Sequence, residues 1–486
     1  MPDLAAAAPA RRATAGRRQS NGPLDVLFAI AEAYPFVKVG GLGDVGGSLP
    51  KALARLGHRV NLFLPRYPGM DRGERFLSLD VDMGRTAERV DVAYHGSHGD
   101  VDVYSAGNTR HFHGVYGYAD HHVDPFVLFS KAVVSFASAS ERTPDVIHCN
   151  DWHCGLSPQY ARLGPHRGAL GRTATVLTIH NLSYQGRFGA RAESLIGMGR
   201  GGGSSLLARG IAFADGVNTV SPRYLEEILA PGRGMGLDRL LRAHPGPVTG
   251  ILNGVDYEAF DPATDPYIVS NYDASSLDRK RHNKAALQRD SGLAVDPQTP
   301  LFGMVARIVR QKGIDQLCAA IDALIGRGTQ VLITGVGEQR YARALRSAAR
   351  RNPRAVAFIE SGAEAFARRV YAGSDFFLAP SVYEPCGLGP LIALRYGSIP
   401  LARRTGGMVN TISDCRDDPA VGLGFTYTGE SVRGLLGAAD RALAVYRDPP
   451  AWNSLRRRAM AADFSWDRPS REYDALYRRT LDAFEA

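Results

Sequence analysis

Short apolar runs alternate with amphipathic segments along most of this chain, and this alternation constrains the fold more than any other feature. A first series has apolar runs with the length of buried parallel strands at 26–30, 60–65, 145–148, 175–180 and 216–220. A second series begins near Pro300, with runs at 301–308, 330–335, 355–360, 375–380 and 397–403. Strands that alternate with helices predict an α/β protein with two doubly wound domains.

The alternation breaks between residues 245 and 300, where the stretch NGVDYEAFDPATDP is rich in turn formers. We place the hinge there, because a chain of 486 residues is too long for one core. Gly-rich residues 199–205 predict a mobile loop within the first domain. We predict a disordered tail at 1–20, an N-terminal domain at 21–250 and a C-terminal domain at 251–465. A final helix at 466–486 is predicted to cross back to the first domain.

Composition excludes several classes of protein. The net charge is +9, but only six of the 58 basic residues are lysine and no basic cluster interleaves with aromatics, so we expect no nucleic-acid partner. No run of 18 apolar residues predicts a membrane span. Five scattered cysteines favour a reducing compartment, and we expect the cytoplasm. Residues 1–20 lack the apolar core of a secretory signal; an organelle transit segment is the alternative to a tail.

Polar residues follow several predicted strands, and ligands of open parallel sheets bind beyond the carboxyl ends of the strands. Two such domains facing each other would share one cleft. In the first domain, Lys38, Gly40 and Gly41 lie between the first strand and its helix. Paired glycines let the backbone approach a ligand, and a helix N-terminus favours an anion. The alternative is a tight turn that binds nothing.

The next strand ends in HCNDWHC, residues 148–154, which contains metal-ligand types. A zinc site needs further ligands at set spacing, and the other cysteines offer no CxxC pair, so we predict no metal. Instead we expect a polar strand end that lines the cleft, with Trp152 as a face for a sugar ring. A further strand ends at His180 among Asn, Tyr and Gln, a setting that favours contact with a polyhydroxy ligand over a purely structural histidine.

Charged residues also follow the strands of the second domain. Arg307 and Lys312 lie between a strand and a helix, where two cations suit a diphosphate; solvated loop charges are the alternative. Glu384 occupies a similar position, where a carboxylate can bind sugar hydroxyls and Gly387 exposes backbone N–H groups. The sequence RTGG at 404–407 repeats the pattern of an anion cradle.

Two DxD sequences, at 80–82 and 100–102, are typical of metal-dependent glycosyltransferases with a single domain. Both lie in alternating, strand-like sequence, where this spacing arises by chance. We therefore do not assign a metal to them.

The chain resembles the bacterial glycogen synthase and plant starch synthase family, which is glycosyltransferase family 5 with two Rossmann-like domains facing a cleft, the GT-B fold. The resemblance runs in family order from about residue 24 to residue 480 and is carried by eight segments: PFVKVGGLGDV, HCNDWHCGL, TIHNLSYQG, NTVSPRYLEEI, GILNGVDYEAFDPATD, ARIVRQKG, PSVYEPCGLGPLIALRYGSIPLARRTGG and DFSWDRPSREYDALY.

The resemblance implies an activity. Glucose would move from ADP-glucose to the 4-hydroxyl at the non-reducing end of an α-1,4-glucan such as glycogen, with retention of the α-configuration. ADP-glucose is a substrate, and neither a cofactor nor a metal is implied. The implied catalytic residues are His180, Glu384, Asp151 and Lys38.

The resemblance also implies binding roles. Lys38, Gly40 and Gly41 would meet the phosphates of the donor, which Arg307 and Lys312 would hold. His180 and Asn253 would contact the transferred glucose, and Asp151 would lie near the acceptor. The glucose hydroxyls and phosphates would also meet Glu384, Cys386, Gly387, Leu388 and Thr405.

The chain departs from the family pattern at five places, one of which is the acceptor-side segment GNTRHFHGVYGYADHHVDPFVLF at 107–129. Val39, Pro390 and Asn410 replace the usual Thr, Gln and Asp, and Gly362 stands where several bacterial members stack a tyrosine on adenine, with Tyr371 as a candidate substitute. These departures leave other functions open: a glucosyltransferase of the same fold that uses UDP-glucose, or a catalytically inactive glucan-binding paralogue. A phosphorylase would need a pyridoxal-linked lysine, for which six lysines offer few candidates.

Overall fold

A computed structural model describes residues 22–84, 86–116, 122–198 and 205–485. It divides the chain into two compact units: unit 1 is Met1–Gly254 with Trp466–Ala486, and unit 2 is Val255–Ser465. The boundary after Gly254 lies inside the turn-rich stretch described above. The predicted tail and residues 199–204 of the predicted mobile loop lie outside the described residues.

Unit 1 contains a sheet of nine strands within the described residues, in the order β3-β4-β5-β2-β1-β6-β7-β8-β9. Their bounds are β1 Asp25–Ala29, β2 Arg59–Pro65, β3 Glu74–Asp82, β4 Ala87–Ser97, β5 Val101–Gly107, β6 Val146–Asn150, β7 Ala174–Ile179, β8 Gly216–Thr219 and β9 Val248–Gly250. The helices before the unit boundary are α1 Gly41–Arg55, α2 Asp124–Ala139, α3 Ser157–Leu163, α4 Ala190–Ile196, α5 Leu206–Phe213, α6 Pro222–Leu229 and α7 Asp238–Arg242.

The central strands of unit 1 are parallel and buried on both faces, as their continuous apolar sequences predict. At the outer edge, β4 runs antiparallel to both of its neighbours, β3 and β5, and β5 joins the parallel part through β2. The sequence did not predict this antiparallel edge. The two DxD sequences lie in and beside it, and Asp102 accepts a hydrogen bond from the Tyr94 hydroxyl at 3.0 Å.

Unit 2 contains a six-stranded sheet that is parallel throughout, in the order β12-β11-β10-β13-β14-β15. The strands are β10 Leu301–Val305, β11 Gln330–Thr334, β12 Val356–Ile359, β13 Phe376–Ala379, β14 Ile399–Arg403 and β15 Phe425–Tyr427. The helices are α8 Lys280–Asp290, α9 Ile314–Ile325, α10 Gln339–Arg351, α11 Glu364–Gly373, α12 Leu388–Arg395, α13 Gly407–Thr411, α14 Val432–Tyr446 and α15 Pro449–Ala461.

The strand order reverses between β1 and β6 in the parallel part of the unit 1 sheet and between β10 and β13 in unit 2. Ligands of doubly wound sheets bind at the carboxyl ends of the strands at this point. The last helix, α16 Asp467–Glu485, belongs to unit 1 and packs on α1, β7 and β8. Among the described helices, none is both long enough and apolar enough to cross a bilayer.

Candidate functional site

Glu32 follows β1 and organises the loop that carries Lys38. Its buried carboxylate accepts hydrogen bonds from the backbone N–H groups of Val39 and Gly40, the latter at 2.9 Å, and from the Tyr116 hydroxyl at 2.8 Å. Burial raises the pKa of Glu32 to about 7, although these donors oppose the shift. Glu32 was not predicted from the sequence, because a single acid ahead of a Gly-rich loop belongs to no recognisable motif.

Lys38 stands at the N-terminal end of α1. Its ammonium lies 2.6 Å from the carboxylate of Asp44, which is in the first turn of that helix. The side chain keeps 28% of its surface exposed. Gly40 and Gly41 form the junction where α1 begins. The loop therefore presents a partly exposed cation beside backbone N–H groups, which suits an anionic ligand.

Asp151 directly follows β6 and has a backbone φ of +58°, which is uncommon for a residue with a side chain. This conformation directs one carboxylate oxygen to the backbone N–H groups of His180 at 3.1 Å and Asn181 at 3.4 Å. Burial raises the pKa of Asp151 to about 7, and the charge of Glu32 adds to the shift. Asp151 therefore ties the end of β6 to the end of β7.

His180 is neutral at physiological pH, because desolvation lowers its pKa to about 3. Its Nε2 lies 2.9 Å from the side-chain oxygen of Asn150. Asn150 uses its amide nitrogen to donate to the carbonyl of Ala29 at 3.1 Å, so its oxygen is the acceptor and His180 carries its proton on Nε2. The sequence-predicted residues Asp151 and His180 thus lie together.

The prediction that Trp152 offers a face to a sugar ring is wrong for the described structure. The Trp152 ring is buried, with Phe126 at 4.8 Å and His153 at 4.2 Å between ring centroids. Asn253 is also buried in unit 1, after β9, and no donor among the described residues reaches its side-chain oxygen.

In unit 2, the residues that follow β10 and β13 meet. The Lys312 ammonium lies 2.5 Å from Oε2 of Glu384, and the Ser381 hydroxyl donates to the same oxygen at 2.9 Å. Arg307 donates to the side-chain oxygen of Gln311 at 3.1 Å. The exposed fractions are 20% for Lys312 and 11% for Glu384. This pair is therefore an ion pair that a ligand can reach.

The backbone of Glu384 is fixed by the sequence that follows β14. Gly407 donates its N–H to the carbonyl of Glu384 at 3.1 Å, and Gly406 has a φ of +47°. A β-carbon at position 406 would lie 1.8 Å from the Glu384 carbonyl oxygen, so only glycine fits. Thr405 is buried beside this contact.

The residues after Glu384 lead into α12. Cys386 is buried, Gly387 adopts φ +92° and Leu388 is the first helical residue. Backbone N–H groups at the start of a helix favour an anion or hydroxyl acceptor. Tyr371, the candidate substitute for the adenine-stacking tyrosine, is instead buried and stacked on Phe377 at 5.2 Å. It therefore belongs to the core of unit 2.

No group of three or more His, Cys, Asp or Glu side chains in the described part of the chain could hold a metal ion. Both units nevertheless have charged and polar groups at the ends of their strands. Unit 1 has a neutral imidazole, two buried carboxylates and a cation, whereas unit 2 has fixed cations, a carboxylate and helix N–H groups. Groups of these kinds can bind a phosphorylated sugar and stabilise an anionic leaving group.

Comparison with known proteins defines the class. Residues 25–243 match the family model of the starch synthase catalytic domain, and residues 288–418 match glycosyl transferases group 1. The structure superposes with a TM-score of 0.88 on the catalytic domain of starch synthase IV from Arabidopsis thaliana bound to ADP and acarbose, at 31% identity over 95% of this chain and 100% of that one. The protein is thus a two-domain glycosyltransferase.

Sequence relatives narrow the class. The chain is 42% identical to the glycogen synthase of Moorella thermoacetica over 95% of this chain and 98% of that protein, and 40% identical to the glycogen synthase of Anaeromyxobacter dehalogenans over 94% and 99%. The chain belongs to the glycogen and starch synthase family, whose members transfer hexose from a nucleotide sugar to a glucan. Sucrose-phosphate synthase from Thermosynechococcus elongatus, at a TM-score of 0.61 and 19% identity, shares the fold alone.

Proposed function

We propose that this enzyme transfers glucose from ADP-glucose to the 4-hydroxyl at the non-reducing end of an α-1,4-glucan such as glycogen, with retention of configuration. The observation that carries the proposal is the Lys312–Glu384 ion pair where the strand order of unit 2 reverses. The ADP and acarbose bound to the Arabidopsis relative support the donor base and the type of acceptor.

The residues of unit 2 act on the leaving group and the sugar. Arg307 and Lys312 stabilise the charge that develops on the diphosphate as its bond to glucose C1 breaks. Glu384 accepts hydrogen bonds from glucose hydroxyls. The remaining contacts of the donor come from the backbone N–H groups of Cys386, Gly387 and Leu388 and from the hydroxyl of Thr405.

The residues of unit 1 act on the phosphates, the glucose and the acceptor. Lys38, with the backbone at Gly40 and Gly41, meets the phosphates. His180 and Asn253 contact the transferred glucose, and the buried Asn253 oxygen gains a donor from a sugar hydroxyl. Asp151 lies near the acceptor. As the acceptor oxygen bonds to C1, its proton passes to an oxygen of the departing diphosphate.

We propose a cytoplasmic enzyme without a cofactor, a resident metal, a nucleic-acid partner or a membrane partner. The five cysteines, all within the described residues, form no disulfide, which fits a reducing compartment. The cations Lys38, Arg307 and Lys312 supply the charge that a divalent metal contributes in other glycosyltransferases.

The function is tested by measuring ADP release from ADP-glucose with and without glycogen. We expect release to require glycogen and the glycogen to gain chains that an α-1,4-specific amylase degrades. A protein that binds glycogen but releases no ADP is the inactive paralogue, and this result contradicts the proposal.

The donor base is tested at Gly362. This residue is exposed, and a β-carbon there would lie 4.0 Å from Val336, so the position has room for an aromatic ring. We expect the wild-type enzyme to prefer ADP-glucose over UDP-glucose by a modest ratio of kcat/KM. Because a stacked ring adds about 0.5–1.5 kcal/mol, Gly362→Tyr should raise this ratio about three- to tenfold, whereas Gly362→Thr should not. An equal or higher wild-type value for UDP-glucose contradicts the donor assignment.

A further inference from the structure

A line of buried polar side chains joins the C-terminal helix α16 to three strands of unit 1. Tyr473 and Tyr477 of α16 meet His148 of β6, Thr178 of β7 and Asn218 of β8, and all five are fully buried. Polar groups in a helix–sheet interface cost free energy unless each finds a hydrogen-bond partner. Apolar side chains would pack this interface without that requirement, so the polar line serves another purpose.

The hydrogen bonds of this line have one consistent direction. Asn218 donates from Nδ2 to the Tyr473 hydroxyl at 3.1 Å and accepts at Oδ1 from the Thr178 hydroxyl at 2.6 Å. Since Thr178 has only one proton to give, its oxygen accepts from Nε2–H of His148 at 2.6 Å. A neutral imidazole carries one N–H, so Nδ1 of His148 accepts from the Tyr477 hydroxyl at 2.7 Å.

Burial supports this assignment, because it lowers the pKa of His148 well below its usual value and keeps the ring neutral. The Nε2–H tautomer is then fixed from one side by Tyr477 and from the other by Thr178. A different tautomer would leave a nitrogen lone pair facing Thr178 and would turn the Thr178 proton away from Asn218.

The line lies one side-chain layer below the strand ends of the candidate site. Side chains two residues apart on a strand share a face, so His148 lies under Asn150 and Thr178 lies under His180. Thr178 is paired with Asn150 in the sheet, and its carbonyl accepts the backbone N–H of Asp151 at 2.8 Å. A change at Thr178 therefore reaches Asn150, Asp151 and His180 directly.

A glycine in the sheet also allows α16 to pack closely against it. A β-carbon at Gly216 of β8 would lie 2.4 Å from the side-chain oxygen of Thr480. Tyr473, Tyr477 and Thr480 are spaced four and three residues apart, which places them on one face of the helix. The glycine thus lets this face come close enough for the hydroxyls to reach the strands.

We propose that Tyr477 is a positioning residue for glucosyl transfer, whose hydroxyl acts through His148 and Thr178 to hold the strand ends that carry Asn150, Asp151 and His180. The inference rests on the proposed role of His180 in the reaction. In this proposal α16 contributes to catalysis as well as to the packing of unit 1.

The test compares Tyr477→Phe with Tyr160→Phe. Tyr160 is a buried tyrosine of the same unit whose hydroxyl donates to the Ile196 carbonyl at 3.2 Å, outside the polar line. Both substitutions remove one buried hydroxyl. We expect Tyr477→Phe to lower kcat about tenfold with the KM for ADP-glucose within about twofold, because a misplaced catalytic group slows the chemical step. Tyr160→Phe should keep the wild-type kcat.

A second pair of variants keeps the test decisive if Tyr477→Phe folds poorly. Thr178→Val is isosteric and removes the hydroxyl, so it should also lower kcat about tenfold. Thr178→Ser restores the hydroxyl and should recover most of the turnover. If kcat per folded molecule is the same in Thr178→Val, Thr178→Ser and Tyr160→Phe, the line is structural and the proposal is wrong.

His180→Ala separates this inference from the proposed function. Normal turnover in His180→Ala overturns the assignment of the site itself. Loss of turnover in His180→Ala together with wild-type kcat in Tyr477→Phe overturns only the positioning role.

Discussion

Unit 1 and unit 2 carry their site residues at equivalent points, where the strand order reverses, but hold them by different means. Unit 1 uses the buried acids Glu32 and Asp151, whose pKa values are raised to about 7. Unit 2 uses the cations Arg307 and Lys312 and backbone N–H groups at the start of a helix. Unit 1 therefore holds its strand ends with acids that titrate near pH 7, whereas unit 2 supplies cations and backbone dipoles.

Removing the charged side chains of unit 2 should have the largest effect. We expect Lys312→Ala and Glu384→Ala each to lower kcat by about 10² to 10³, the cost of losing a group that contacts the transition state. Arg310→Ala is the matched control for Lys312, because it removes an exposed cation from the same turn. Steady-state kinetics and thermal melts check this result; activity within about threefold of wild type in both variants refutes the site in unit 2.

Disturbing the backbone of unit 2 should have the next largest effect. Gly406→Ala forces the Glu384 carbonyl aside, and we expect kcat to fall about 10- to 100-fold. Gly437→Ala is the control, because this glycine lies in α14 with no atom within 4 Å of the added carbon. It should keep full activity and melt at a slightly higher temperature, since alanine favours helix. Equal kcat in the two variants would show that the 405–407 segment does not position Glu384.

The stability of unit 1 should depend on pH in an unusual direction. The pKa of Glu32 rises from 4.5 in the unfolded chain to about 7, so the folded state holds the proton more tightly between these values. Unfolding free energy should therefore fall by roughly 3 kcal/mol from this residue as pH rises through that window. Glu32→Gln should flatten the dependence, measured by denaturant unfolding, while Glu74→Gln at an exposed position should not. Identical slopes in the two variants contradict the raised pKa.

Removal of metal should have the smallest effect. Fixed cations neutralise the leaving group in this account, so turnover after EDTA treatment should equal that of the untreated enzyme. A requirement for Mg²⁺ or Mn²⁺ in single-turnover measurements would instead bring the DxD sequences at β3 and β5 back into consideration.

Strand ends were predictable from the sequence because buried parallel strands have a strong apolar signal. Asp151, His180, Lys312 and Glu384 follow such strands and lie where that rule places ligand contacts. The antiparallel edge was not predictable in the same way. Its strands are half-exposed, so their alternation resembles that of many surface segments.

Residues whose role depends on distant partners were not predictable from the sequence. Glu32 acts through Tyr116 and the loop at 39–40, and Tyr477 reaches His148 across 329 residues of chain. Trp152 shows the opposite error: an aromatic residue beside polar ones suggested a sugar platform, but the ring fills the interior. The apolar pattern of a sequence indicates which segments are buried. The partners of an individual side chain depend on tertiary contacts, which that pattern does not contain.

The contrast between the two units is tested most directly by the pH dependence of kcat/KM for ADP-glucose. Glu32 and Asp151 each titrate near pH 7 because burial raises both pKa values, whereas His180 stays neutral, so activity should rise with pH through about 7. Glu32→Gln removes a charge that raises the pKa of Asp151 and should move this acidic limb to lower pH. Glu384→Gln should lower kcat/KM at every pH and leave the limb in place. A limb that moves in Glu384→Gln, or stays fixed in Glu32→Gln, would contradict the assignment of pH control to unit 1.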